Sequence, residues 1–110
     1  MPTMAIRSIA SEALDRQLNS GAVTVIDVRD PDEFLSGHIR GSLNIPLAEI
    51  TTTGLPDGPL VMVCQSGRRS ARAIERLLEE RHPEPVSDLA GGLTAWRLAH
   101  LPLEGPEDHA

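Results

Sequence analysis

Residues 64–70 read Cys-Gln-Ser-Gly-Arg-Arg-Ser and contain the only cysteine of the chain. An apolar run, Leu60–Val63, leads into Cys64, and a helical pattern begins near Arg68. A free thiol ionises near pH ~8.5 and is mostly protonated, hence weakly nucleophilic, at neutral pH. This loop is built to change that. A helix that starts near Arg68 points unpaired backbone N–H groups and a partial positive charge back at Cys64. Gly67 permits a sharp turn, so that successive N–H groups converge on one point. Ser66 and Ser70 add hydroxyl donors, and Arg68 and Arg69 add two full charges. The chemistry this favours is a thiolate, or an anion carried on the sulfur.

A cysteine after an apolar strand is also a common small core residue. Packing alone would not call for one Gly, two Ser and two Arg after it, in a chain whose net charge is −6. Cations at a helix N-terminus are unfavourable by roughly 0.3–1 kcal/mol unless an anion offsets them. The arginines are therefore either solvated first-turn residues or contacts for an anionic substrate, with Arg69 ahead of Arg68. The loop is expected at the surface. Removing the Cys64 sulfur should then leave the fold intact, and losing Arg69 should weaken donor binding more than stability.

The elements that must position this loop alternate. Residues 5–9 suggest a first strand. Residues 11–20 form a helix, with Ala10, Leu14 and Leu18 on one face and Gly21 as its stop. Residues 22–28, β-branched, make a buried strand. At 30–34, Asp30 can cap, Pro31 suits the first helical position and Glu33 sits where a capping-box carboxylate belongs. Residues 42–46 suggest a short strand, 47–50 one helical turn, and 51–59 a Gly/Pro loop. Leu60–Val63 is a second buried strand. A helix over 68–81 presents Ala71, Ile74, Leu77 and Leu78 on one face and ends before Pro83. Residues 85–89 are a further strand, 91–100 a glycine turn and short helix, and 104–110 a frayed tail. Apolar strands alternating with helices specify a single α/β domain with a mainly parallel central sheet, flanked by helices on both faces. In such sheets sites form beyond the carboxyl ends of the strands, which is where Cys64 falls.

Length fits one domain, with a core at about residues 5–103. The acidic balance argues against nucleic acid as a partner. No apolar run approaches the ~20 residues of a membrane span, and the first residues lack the apolar stretch of a signal peptide. The chain reads as a cytoplasmic protein with no membrane association. His82, His100 and His109 have no companions that would make a metal site, and no cofactor is called for.

Three segments, 25–47 (VIDVRDPDEFLSGHIRGSLNIPL), 61–73 (VMVCQSGRRSARA) and 89–103 (LAGGLTAWRLAHLPL), together resemble the rhodanese-like domain. They occur in that family's order and span most of the chain. The resemblance implies a single-domain sulfurtransferase. Cys64 would attack the outer sulfur of a small anionic donor such as thiosulfate, carry it as a persulfide, and pass it to cyanide or a thiol, including a protein thiol. Backbone N–H groups of Gln65, Ser66, Gly67, Arg68, Arg69 and Ser70 would cradle the transferred sulfur or the donor's anionic end. Asp27, Arg29 and Glu33 would support the site, Arg29 by pairing with Glu33 and Asp27 by bracing the cysteine loop. His38 is set aside as a general base, because a stabilised thiolate needs none. Asn44 and Trp96 are expected to serve the scaffold. Phosphatases and arsenate reductases of related fold are the first alternative. Those phosphatases place five residues between Cys and Arg, whereas four separate Cys64 from Arg69 here. A non-catalytic or sulfur-relay binding module is the second.

Overall fold

A computed structural model describes residues 6–106. Its elements run β1 (Arg7–Ile9), α1 (Ser11–Ser20), β2 (Thr24–Asp27), α2 (Pro31–Ser36), β3 (Leu43–Asn44), a 3₁₀ turn (Leu47–Glu49), β4 (Leu60–Val63), α3 (Arg68–Glu79), β5 (Val86–Leu89) and α4 (Gly92–Leu98). The five strands form one sheet in the order β1-β5-β4-β2-β3, and every pairing is parallel. β4 therefore lies at the centre, with β5 and β2 on either side. Ala5, the first residue expected in β1, lies outside the described residues.

The alternation of side chains along the strands makes two cores. Val25, Val61, Val63 and Leu89 face α1 and α4, packing with Leu14, Leu93 and Trp96. Ile26, Leu60 and Met62 face α3, packing with Ala73, Ile74, Leu77 and Ile50. All four β4 residues are buried, so the strand shows no polar alternation, as a centre strand covered on both faces should not. Cys64 continues the phase of Leu60 and Met62 and belongs to the α3 core.

Local signals set the element ends. Gly21 closes α1 in the left-handed conformation (φ 74°), a region open to glycine without steric penalty. α3 stops at Glu79, two residues before the expected end, because Arg81 turns left-handed (φ 57°) ahead of Pro83. Glu104, expected to open a frayed tail, is instead tied down. Glu104 exchanges both backbone bonds with His38, at 2.9 and 2.7 Å; residues 107–110 lie outside the described residues. No helix among the described residues is long and apolar enough to cross a membrane.

Candidate active site at the end of strand β4

The β4 carboxyl end delivers Cys64 to the start of α3. Gly67 caps that helix with φ 105°, a left-handed conformation that bends the loop back over the sulfur. Its N–H donates to Cys64 Sγ at 3.0 Å, and the Ser70 N–H at 3.4 Å. The Ser70 hydroxyl oxygen stands 3.5 Å from the same sulfur. Two backbone donors at a helix N-terminus thus converge on one atom, the arrangement that accommodates an anion.

The loop is only partly at the surface. Ser66 and Arg68 are exposed, Gln65, Gly67 and Arg69 are half-buried, and Ser70 is buried. Cys64 is 1% exposed, which corrects the expectation of a surface position. Strand phase is the reason: the residue that follows Val63 must turn its side chain toward α3.

The supporting residues pair differently from the expectation. Arg29 does not bind Glu33. It folds onto Asp27, with Nε 3.0 Å from Oδ1 and Nη2 2.8 Å from Oδ2, and Nη2 also donates to the Gly37 carbonyl at 2.7 Å. Both residues are at least 98% buried. Asn44 donates to the Asp27 and Arg29 carbonyls at 3.0 and 2.9 Å. Asp27 therefore clips the β2–α2 turn to the end of α2 and does not brace the cysteine loop. Both acids lie within reach of Arg29 along the chain, and burial of the guanidinium against Asp27 leaves Glu33 to Arg69.

Glu33 is held by Arg69 instead, through Nη1 to Oε1 at 2.6 Å and Nη2 to Oε2 at 3.0 Å. It also accepts the Asp30 N–H at 3.0 Å, the capping bond foreseen for α2. The Arg69 hydrogen bonds, joined by that N–H and by the charges of Arg69 and Arg29, outweigh partial burial and hold the Glu33 carboxyl down at about 2. The guanidinium expected to meet a substrate anion is thus committed to a carboxylate of the protein, and Arg68 is the exposed arginine of the loop.

Three site residues were not singled out beforehand. Asp88 on β5 accepts a hydrogen bond from the Ser70 hydroxyl, and burial pushes its carboxyl up against the lowering effect of that bond. Its signal in the sequence is an acid inside the strand Val86–Leu89 of a sheet covered on both faces. Gly92 and Thr94 lock the loop from the other side. Leu93 N–H donates to the Cys64 carbonyl at 2.9 Å and Thr94 N–H to the Gln65 carbonyl at 3.1 Å. A Cβ on Gly92 would lie 2.5 Å from the Gln65 oxygen and 2.6 Å from the Cys64 oxygen. The Gly-Gly pair read as a turn is thus also a close approach of two backbones.

His38 stacks on Phe34 and its Nδ1 contacts the Phe34 carbonyl at 2.8 Å, a structural post. Trp96 is buried and donates to the Pro102 carbonyl at 2.9 Å, as a scaffold residue would.

A family model described as the rhodanese-like domain matches residues 10–99. A sulfurtransferase of Allochromatium vinosum is 34% identical over 106 residues, covering 93% of this chain and 98% of its own length. The thiosulfate sulfurtransferase GlpE of Pseudomonas aeruginosa is 36% identical over 88 residues, 77% of this chain and 79% of that protein. The crystal structure of a rhodanese-related protein from Thermoplasma volcanium superposes with a TM-score of 0.79 at 33% identity, covering 89% of this chain and 97% of that one. An uncharacterized Synechocystis relative is longer, and the chain spans 54% of it. With the matched family model covering most of its length and a single parallel α/β sheet that ends in a cysteine loop, the chain belongs to the rhodanese-like domain family.

Proposed function

We propose that this protein is a cytoplasmic sulfurtransferase that moves a sulfane sulfur from a small anionic donor such as thiosulfate to a thiophilic acceptor through a persulfide on Cys64. The supporting observation is the convergence of the Gly67 and Ser70 N–H groups on Cys64 Sγ at 3.0 and 3.4 Å. In the first half-reaction the thiolate attacks the outer sulfur of the donor. A Cys64 S–S bond forms, the donor's S–S bond breaks, and its electron pair leaves on sulfite. In the second half-reaction an acceptor, cyanide or a thiolate, attacks the outer persulfide sulfur, and the Cys64 thiolate is returned. The backbone N–H groups stabilise the negative charge in each resting form. The exposure of Arg68 supports a role for its charge in drawing in the donor anion.

The phosphatase alternative needs an arginine free to grip a phosphoryl group. Arg69 is bound at both ends of its guanidinium by Glu33, so the geometry favours sulfur.

The test is an intact-mass measurement of the protein after incubation with thiosulfate, with Cys64→Ala as control. A gain of one sulfur atom, removed by cyanide with release of thiocyanate and absent in the variant, is the expected result. An unchanged mass with thiosulfate and with a small-molecule persulfide donor would sink the proposal.

A further inference from the structure

Ser70 closes the cysteine loop, and its buried hydroxyl touches three groups: Cys64 Sγ at 3.5 Å, the Gly67 carbonyl at 3.1 Å, and Asp88 Oδ1 in direct hydrogen-bond contact. A hydroxyl has one hydrogen to give. An ionised carboxylate is the strongest acceptor of the three, so the hydrogen is directed to Asp88. The Ser70 oxygen then presents a lone pair to the sulfur, which suits an S–H donor and disfavours a thiolate. Protonation of Asp88 reverses this arrangement. Its carboxyl O–H donates to Ser70 Oγ, and the Ser70 hydrogen is free to donate to Sγ beside the two backbone N–H groups.

We propose that Asp88 is a positioning residue that sets, through the Ser70 hydroxyl, the pH at which Cys64 becomes a thiolate. This deepens the reading of Cys64 as the sulfur-accepting nucleophile and rests on it. The proton that Cys64 loses goes to solvent, and no redox step is involved. Burial, which disfavours a fixed charge on Asp88, makes the carboxyl responsive to the charge on the sulfur. The groups that face it are Ser70 and Gly67 from the start of α3, where a Gly67 Cβ would lie 3.9 Å from Oδ2, and its strand partners Ser8 of β1 and Met62 of β4. The charged residues in the first turn of α3 are Arg68, which is exposed, and Arg69, which Glu33 holds.

The experiment is the pH profile of Cys64 alkylation by iodoacetamide, read by intact mass, for the wild type, Asp88→Asn, Asp88→Glu, Ser70→Ala and the double variant Asp88→Asn/Ser70→Ala. Removing a like charge two hydrogen bonds from the sulfur should move the Asp88→Asn inflection to lower pH by about one unit. Asp88→Glu should restore the wild-type profile. In the Ser70→Ala background, Asp88→Asn should shift the inflection much less. An Asp88→Asn inflection equal to or above that of the wild type overturns the proposal. Carbon NMR of the Asp88 carboxyl in the wild type supplies a reading independent of that variant's folding. By reciprocity its titration should carry a second inflection at the pH where Cys64 alkylation turns on, and the inflection should vanish in Cys64→Ala. Its absence from the wild type, or its persistence in Cys64→Ala, also overturns the proposal. Neither readout involves sulfur transfer, so an enzyme that takes no sulfur from donors fails the functional reading separately.

Discussion

The Arg69 guanidinium grips the Glu33 carboxylate with two bonds, at 2.6 and 3.0 Å, and ties the first turn of α3 to the first turn of α2. The same carboxylate caps α2 through the Asp30 N–H. One acidic side chain therefore fixes where the helix that carries the cysteine loop stands over its neighbour.

Glu33→Gln breaks this latch and should show it in acid. The carboxyl is held at about 2 in the fold, below its ordinary 4.5. A depressed value means the stabilisation is fully present above pH 4.5 and is lost as the pH falls toward 2. Urea midpoints of the wild type should decline through that window more steeply than those of Glu33→Gln. The pair is a third exposed, so the difference above the window should be about 1 kcal/mol or less.

Arg68→Ala and Arg69→Ala should separate recruitment from support. Arg68 is exposed, so its loss should raise the KM for thiosulfate several-fold and leave the melting temperature unchanged. Arg69→Ala frees Glu33 and should lower stability by about 1 kcal/mol, with the smaller effect on KM. Steady-state kinetics beside thermal melts would check both, and an Arg69→Ala effect confined to KM would reinstate Arg69 as the anion contact.

Gly92→Ala should be severe. Its Cβ would enter the Cys64 and Gln65 carbonyls at 2.6 and 2.5 Å, at a residue with φ 59°. Two backbones cannot yield as a flexible side chain would. A loss of about 3 kcal/mol or more is expected from strain of this kind, read by denaturant unfolding, together with loss of persulfide formation.

Cys64→Ala should abolish sulfur transfer and also weaken the fold. Cys64 is 1% exposed, and removal of its sulfur leaves the Gly67 and Ser70 N–H groups without their acceptor, a loss of about 1–3 kcal/mol. Cys64→Ser retains an acceptor there. It should be equally inactive but closer to wild-type stability in urea titrations.

How much of this was legible beforehand follows from the range of each interaction. The α/β class, the buried strand Leu60–Val63 and the capped start of α2 rest on signals spread over a few neighbouring residues, and the structure carries them. The cysteine loop was legible for the same reason: Gly67 and the helix after it determine the direction of the N–H groups through local backbone geometry alone. Arg29 was assigned to the wrong acid because two carboxylates lay within its reach along the chain, and only packing selects Asp27 over Glu33.

By itself, then, the sequence determined a parallel α/β domain with its single cysteine at a strand end, since periodicity and turn chemistry act between neighbours. The tertiary structure alone decided which side chains surround that thiol. Arg69 meets Glu33 across 36 residues and Ser70 meets Asp88 across 18, and Gly92 reaches Cys64 from the far side of the loop. Those meetings depend on strand order. β5 and β2 flank β4 only once the sheet has assembled, and no spacing along a chain encodes the identity of a lateral neighbour.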